Sequence, residues 1–163
     1  MLDADALNLL AERPGLLELR RGPLLLTPHP GEAARLTELP ISVLESDRYA
    51  SAAGLARRFN ATVILKGARS MVAAPDGRLA VNPTGCPAMA SGGMGDALTG
   101  LLAALLAQGL GTFESACAAA WLHGRAGEIA AAGADAGLLA SDLIEALPAA
   151  RRELREPPAP ARR

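Results

Sequence analysis

Alanine and leucine have to build almost the whole core of this chain. Half of the 163 residues are hydrophobic, yet only Tyr49, Phe59, Phe113 and Trp121 are aromatic. The sequence contains 36 alanines and 28 leucines, so few large side chains are present to anchor the packing. We therefore expect close-packed helices against a small sheet, in a chain whose length fits one domain.

Charge and cysteine content exclude several classes of protein. The formal net charge is −1 and the pI is about 6.1, which argues against a nucleic-acid or anionic-membrane partner. Two cysteines, Cys86 and Cys117, make no disulfide framework and favour a reducing compartment. The apolar run 97–107 is too short to span a bilayer, and the first residues lack a basic signal-peptide region. The sequence predicts a soluble, cytoplasmic protein.

The pattern of apolar runs and turn residues predicts an α/β chain. Strands are expected at 24–26 and 61–66, with a hairpin of 70–74 and 78–82 around an Asp-Gly turn. Helices are expected within 2–11, from Glu32, over 46–59 with Ser46 as N-cap, and at 96–108, 113–132 and 139–147. The tail 151–163 is expected to be disordered.

Lys66 is the only lysine among sixteen basic residues and ends the clearest buried strand. In so arginine-rich a chain, a retained lysine suggests a need for a compact ammonium instead of a planar guanidinium. Two interpretations remain open. The lysine is either a solvated residue at a strand end, or part of a pocket for nucleotide phosphate and ribose.

A glycine-rich segment, 90–96, stands directly before an Ala/Leu helix. Its glycines, Gly92, Gly93 and Gly95, allow a ligand to approach the main chain, and a helix start offers free N–H groups to an anion. Asp96 either caps this helix or serves as a carboxylate base beside the anion hole. The segment matches neither a Walker motif nor a dinucleotide-binding fingerprint.

Other candidate residues carry weaker signals. His29 follows a strand at the end where open α/β sheets collect ligand residues, or it is structural. His123 lies within a predicted helix and is interpreted as a packing or surface residue. Asp3 and Asp5 are expected to bond loop backbone, with a metal role as the lesser alternative. Cys86 has no neighbouring histidine or cysteine to support metal binding or nucleophilic catalysis, and 82–85 shapes a turn or walls a pocket.

Three motifs in this order resemble the ADP/ATP-dependent NAD(P)H-hydrate dehydratases of the ribokinase-like superfamily. They are T-P-H-P-G-E (27–32), L-K-G-A-R-S (65–70) and V-N-P-T-G-C-P-A-M-A-S-G-G-M-G-D-A-L-T-G (81–100), and L-D-A-D-A-L-N (2–8) is a further family segment. The resemblance implies a partial ribokinase-like fold with a small mixed sheet flanked by helices. The departures are Cys86 for the usual Asn, Ser91 for Thr and Met94 for Thr; the first and third are expected to change the polarity of the pocket.

The resemblance also implies a reaction and its site residues. Family members repair hydrated NADH and NADPH: ADP (or ATP) phosphorylates the hydrate hydroxyl, and elimination of phosphate completes a carbon–oxygen lyase reaction. Mg²⁺ is expected with the phosphates, and no cluster of carboxylates that would bind it stands out in the sequence. The implied roles are Asp96 as catalytic base and hydrate contact, His29 as hydrate contact, Lys66, Gly67, Ala68, Arg69, Ser70 and Gly95 as nucleotide contacts, and Gly92, Gly93 and Gly95 as the anion hole.

The resemblance runs from residue 2 to about 147. It implies that residues 1–150 form the C-terminal portion of such a domain, with the N-terminal portion absent. Another chain could supply that portion, and the expected partners are further copies of this chain in a homo-oligomer or a complementing chain. Two alternatives remain: another ribokinase-like small-molecule kinase, or an inactive truncated fragment that persists as a binding remnant.

Overall fold

The computed structural model describes residues 1–154 as seven α-helices and one four-stranded sheet. The strands are β1 (Leu25–Leu26), β2 (Thr62–Leu65), β3 (Met71–Ala73) and β4 (Leu79–Val81). The helices are α1 (Asp5–Glu12), α2 (Pro30–Thr37), α3 (Ile41–Ser46), α4 (Arg48–Phe59), α5 (Met94–Ala107), α6 (Thr112–Ala131) and α7 (Ala140–Glu153). The predicted α/β class and the predicted hairpin of β3 and β4 are confirmed.

The sheet is small and mixed, as expected. Its order is β1-β2-β3-β4, with β1 and β2 parallel and the remaining pairs antiparallel. Leu2 adds a parallel bridge to Leu26, because its N–H donates to the Leu25 carbonyl at 2.9 Å. This bridge brings Asp3, the next residue, to the end of the sheet at which β1 and β2 finish.

Helices cover both faces of the sheet, and the alternation of side chains along β2 shows how. Val63 and Leu65 belong to the apolar cluster that includes residues of α1, α2 and α4, whereas Ile64 belongs to the one that includes α5 and α6. A third apolar cluster joins α5, α6 and α7. On α6, Ala116 and Ala119 are fully buried, so the predicted packing through small side chains is confirmed.

The predicted helix over 46–59 is wrong in its start. Ser46 ends α3, and Asp47 leaves the helical conformation at φ −144° and ψ 87°. Its Oδ1 accepts a hydrogen bond from the Ala50 N–H at 2.9 Å, so Asp47 is the N-cap of α4. On α4, Leu55 is buried, whereas Tyr49 in the first turn is 57 % exposed.

The last helix is longer than the predicted 139–147. It continues past Pro148 to Glu153, whose carboxylate receives two hydrogen bonds from the Arg125 guanidinium, at 2.6 and 2.9 Å. This bidentate pair fastens the end of α7 to α6. Residues 151–153 of the predicted tail are therefore helical, while 155–163 lie outside the described residues.

Candidate active site

The first turn of α5 is built to expose backbone N–H groups. Gly93 is its N-cap at φ 83°, a left-handed conformation that favours glycine, and it makes no side-chain capping bond. Asp96 lies inside the first turn with its residue exposed, so the interpretation of Asp96 as the N-cap is wrong. Gly92 is also exposed and has open space where a Cβ would stand. The turn has the geometry and dipole of an anion site.

Lys66 lies in a cluster of opposite charges beside this turn. Its Nζ is 2.9 Å from Asp3 Oδ1 and 3.6 Å from Glu32 Oε2, and the side chains of Lys66, Asp3 and Glu32 are 20 %, 10 % and 5 % exposed. Thr99 of α5 donates from Oγ1 to Asp3 Oδ2 at 2.8 Å. The interpretation of Lys66 as a solvated strand-end lysine is therefore wrong, because two buried carboxylates hold its ammonium.

The structure brings the two predicted nucleotide contacts, Lys66 and Gly95, together. A Cβ built on Gly95 would lie 3.6 Å from Lys66 Nζ and 3.7 Å from Asp3 Oδ2. The end of β2, the segment after Leu2 and the first turn of α5 therefore meet at one place. A cation and uncapped N–H groups at that place can together bind a phosphate.

Asp3 keeps its charge in this cluster. Burial alone would raise the pKa of Asp3, but hydrogen bonds from Lys66 and Thr99, together with the nearby ammonium, lower that pKa below its ordinary value. The expected backbone-bonding role of Asp3 is wrong, because its oxygens bond these side chains.

His29 caps α2 with its ring. Nδ1 accepts from the N–H groups of Gly31 and Glu32 at 3.0 and 3.2 Å, and the His29 N–H donates to Glu32 Oε2 at 2.7 Å. This reciprocal pattern is a capping box. Because Nδ1 accepts, the ring hydrogen of neutral His29 is on Nε2, which lies 3.4 Å from Glu32 Oε1 on a side chain that is 49 % exposed. The ring can thus offer one N–H to a ligand.

His123 reaches the same region from α6. Its Nε2 is 2.9 Å from the Met94 carbonyl, at the start of α5. Burial lowers the pKa of His123 more than the hydrogen bond to the Met94 carbonyl raises it, and the charge of Lys66 lowers it further, so the ring is neutral near pH 7. A neutral ring donates to a carbonyl through Nε2–H. His123, expected to be a packing or surface residue, therefore fixes the start of the helix that carries Gly95 and Asp96.

Comparison with known proteins decides the family. The sequence model of the NAD(P)H-hydrate dehydratase family matches residues 1–149. The chain belongs to this family. It is 46 % identical over 155 residues to the ADP-dependent (S)-NAD(P)H-hydrate dehydratase of Neisseria meningitidis, covering 93 % of this chain and 51 % of the relative. It is 46 % identical over 157 residues to the bifunctional NAD(P)H-hydrate repair enzyme of Moorella thermoacetica, covering 96 % of this chain and 30 % of the relative.

Solved structures agree with this family and with the predicted ribokinase-like fold. The ADP/ATP-dependent NAD(P)H-hydrate dehydratase of Bacillus subtilis, co-crystallised with ATP/Mg²⁺, superposes with a TM-score of 0.83 at 37 % identity, covering 93 % of this chain and 53 % of that one. A ribokinase-like superfamily protein of Enterococcus faecalis gives a TM-score of 0.74 at 29 % identity, covering 93 % and 51 %. The chain thus spans about half the length of these two solved structures, about half of the Neisseria meningitidis relative and 30 % of the Moorella thermoacetica relative.

Two of the three departures from the family motif, Cys86 and Met94, belong to or pack against the third apolar cluster. Met94 is 6 % exposed and packs in the cluster between α5, α6 and α7, so the expected change in pocket polarity is wrong for this residue. Cys86 packs against the same cluster, with Sγ 3.7 Å from the Gly127 carbonyl. Ser91 uses its hydroxyl to donate to the Leu138 carbonyl at 2.8 Å, which ties the glycine-rich segment to the chain before α7.

The sequence interpretation missed Glu32 and Thr99 as members of the site. Both stand inside or beside quoted motifs, but neither was given a role beyond starting or filling a helix. The solitary lysine could have indicated them, because a partly buried ammonium needs nearby carboxylates to balance its charge. Glu32, whose side chain is only 5 % exposed, is one of these carboxylates. Asn82, in contrast, has a structural role. Its side-chain amide donates to the carbonyls of Thr84 and Ala120 at 3.0 Å, which shapes the predicted turn.

Within residues 1–154, histidine, cysteine, aspartate and glutamate side chains form no group of three that could hold a metal ion. Over the same residues, no helix is both long and apolar enough to cross a membrane.

Proposed function

We propose that this chain carries the nucleotide site and the catalytic base of a nucleotide-dependent NAD(P)H-hydrate dehydratase. The substrates would be hydrated NADH and NADPH, and ADP (or ATP) would donate the phosphoryl group. One observation carries the proposal: in a member of this family, Lys66 and the uncapped first turn of α5 meet at one place. The names of the relatives support it, since one is called ADP-dependent and another was co-crystallised with ATP/Mg²⁺.

In the first step, the hydroxyl of the hydrate attacks the terminal phosphoryl group of ADP. A new oxygen–phosphorus bond forms while the bond between that phosphorus and the AMP oxygen breaks. Asp96, exposed in the first turn of α5, takes the hydroxyl proton. Gly92, Gly93 and Gly95 line the anion hole, where N–H groups and the Lys66 ammonium stabilise the transferring charge. Positioning and this electrostatic stabilisation supply most of the rate.

In the second step, the carbon–oxygen bond to the new phosphate breaks and a neighbouring ring carbon loses a proton. The dihydropyridine ring of NADH is restored, and AMP and inorganic phosphate are released. Hydroxide is a poor leaving group and phosphate is a good one. This difference explains why a dehydration would consume a nucleotide.

Mg²⁺ would enter with the nucleotide. The carboxylates nearest to Lys66 are already engaged, Asp3 by Lys66 and Thr99 and Glu32 by His29 and Lys66. Mg²⁺ commonly binds substrate phosphates and waters with few protein ligands, which fits this arrangement. When bound, the ion neutralises phosphate charge.

The remaining roles follow the same proposal. The Nε2–H of His29 would bind the hydrate, and the loop 66–70 would contact the AMP portion of the nucleotide. We assign residues 1–150 to one portion of a larger domain, whose other portion would orient the hydrate. A cytoplasmic protein without nucleic-acid or membrane partners fits these substrates.

Replacement of Asp96 by Asn tests the proposal. The assay uses the completed protein, meaning this chain joined to the upstream portion of the domain that the family resemblance implies. We expect Asp96→Asn to lower the rate of NADH recovery by about 10²–10⁴ while ADP affinity is nearly unchanged, because Asn is similar in size but is not a base. Asp135→Asn, an exposed position before α7, is the matched control and keeps full activity.

The outcomes separate the alternative functions. Recovery of NADH that stops with Asp96→Asn supports the dehydratase. A stable phosphorylated product without NADH recovery would indicate another ribokinase-like kinase, and neither product would indicate an inactive remnant. Near-normal turnover of Asp96→Asn would remove Asp96 from the base role.

A further inference from the structure

We propose that Arg48 is the positioning residue of the nucleotide loop 66–70. The inference rests on the proposed nucleotide binding by this loop and goes beyond it by naming what shapes the loop. Arg48 is the first residue of α4, and its side chain is 16 % exposed. Its Nη2 donates to the carbonyls of Leu65 and Lys66 at 3.1 and 3.2 Å, and its Nη1 pairs with the Glu45 carboxylate.

The two carbonyls belong to the two peptide groups that flank Lys66. A donor bound to both therefore restricts the backbone dihedral angles of Lys66 itself. That backbone conformation sets where the ammonium goes, and in the structure it goes to Asp3 and to the first turn of α5. Arg48 thus acts through Lys66 and not by touching a nucleotide.

Gly67 gives independent support for this arrangement. Its φ of +142° lies in the region that favours glycine, and a Cβ there would be 2.9 Å from Arg48 Nη2 and 3.0 Å from Nη1. The guanidinium occupies the space that a side chain at position 67 would need. The loop conformation and the arginine are therefore mutually fitted.

One nitrogen of the Arg48 guanidinium has no hydrogen-bond partner within residues 1–154, although the other two are bonded. Arg48 Nε is buried and has no hydrogen-bond partner among the described residues. An unpartnered buried donor is unfavourable. The fork of the guanidinium nevertheless reaches both loop carbonyls and Glu45 at once, which a lysine ammonium matches poorly.

The test measures ADP binding by calorimetry and KM against kcat in the completed protein. We expect Arg48→Met to weaken ADP binding and raise KM for ADP by about tenfold or more, and to lower kcat at saturating ADP by a smaller factor, because the displaced Lys66 ammonium also stabilises the transferring charge. Arg48→Lys should lie between Arg48→Met and the parent, and it carries the test if Arg48→Met does not fold. Arg57→Met, which removes an exposed cation from the same helix, is the control and leaves both values unchanged.

A double-mutant cycle adds a readout that a purely structural role would not move. Gly67→Ala should weaken ADP binding more in the parent than in Arg48→Met, because its Cβ meets the guanidinium only when the arginine is present. Equal effects in both backgrounds, or unchanged ADP affinity with a lower melting temperature in Arg48→Met, would overturn the inference. If the parent itself binds no ADP, the proposed function fails and the inference falls with it.

Discussion

Replacement of Lys66 by Met should destabilise the protein strongly at neutral pH. The substitution leaves two carboxylates, Asp3 and Glu32, facing an apolar side chain although they are only 10 % and 5 % exposed. Removing one partner of a buried ionic cluster typically costs about 3–5 kcal/mol. The completed protein is about twice as long as this chain, so each kcal/mol lowers its melting temperature by about 1–2 °C, and we expect a decrease of roughly 3–10 °C.

The effect should depend on pH in a defined direction. In the parent, folding lowers the pKa of Asp3, so ionised Asp3 stabilises the folded protein. This stabilisation is fully present above the pKa of Asp3 in the unfolded chain, about 3.9, and is lost as the pH falls through the lower pKa of the folded state. Without Lys66, less opposes the effect of burial, and the pKa of Asp3 rises. As the pH falls, Asp3 of the variant is therefore protonated, and the cost of its unpaired buried charge disappears. The difference in melting temperature between parent and variant should therefore be largest near pH 7 and should become smaller below about pH 4.

Thermal melts of the completed protein across this pH range measure both effects. Arg57→Met serves as the control, because it removes an exposed cation outside the cluster and should change the melting temperature little. A Lys66→Met variant that melts within about 2 °C of this control at pH 7, or a difference that grows toward acid pH, would refute the reasoning.

Three further predictions follow from the same structure. Lys66→Arg should weaken ADP binding and slow NADH recovery although it keeps the charge, because a planar guanidinium does not fit the place between Asp3 and the first turn of α5; equal affinity and rate by calorimetry and assay would contradict this. Gly124→Ala should lower the melting temperature, since its Cβ would lie 2.7 and 2.8 Å from the Thr84 carbonyl carbon and oxygen, whereas Gly100→Ala in open space on α5 should raise it; the opposite order in melts would disprove the packing described. The 163-residue chain alone should be inactive and should associate in solution, whereas the completed protein should be monodisperse and active. If light scattering, thermal melts and the assay instead show that the chain alone is an active, cooperatively melting monomer, the other portion is dispensable.

Local patterns predicted most of the fold. The buried run at β2, the Asp-Gly hairpin and the long Ala/Leu helices each carry a strong local signal, and each is found near its expected place. The exception at 46–59 is instructive. Ser46 and Asp47 are both good capping residues, and the sequence alone does not decide which of them is the N-cap of the helix that follows.

The sequence named residues of the candidate site but did not indicate how they are arranged. Lys66 and Gly95 were named as nucleotide contacts, and the structure places them beside each other. The partners of Lys66 could not be derived, because Asp3 and Thr99 are far from it in sequence and only the parallel bridge at Leu2 and the packing of α5 bring them together. Arg48 was missed for the same reason, since nothing local shows that its guanidinium reaches the carbonyls before Gly67.

The most direct test of the proposed reaction is its stoichiometry. The completed protein is mixed with NADH hydrate and ADP, and the NADH absorbance, AMP and inorganic phosphate are measured over time. We predict that the three products appear in equimolar amounts and that omission of ADP abolishes all of them. Recovery of NADH without AMP and phosphate, or formation of AMP without NADH, would contradict a dehydration driven by phosphoryl transfer.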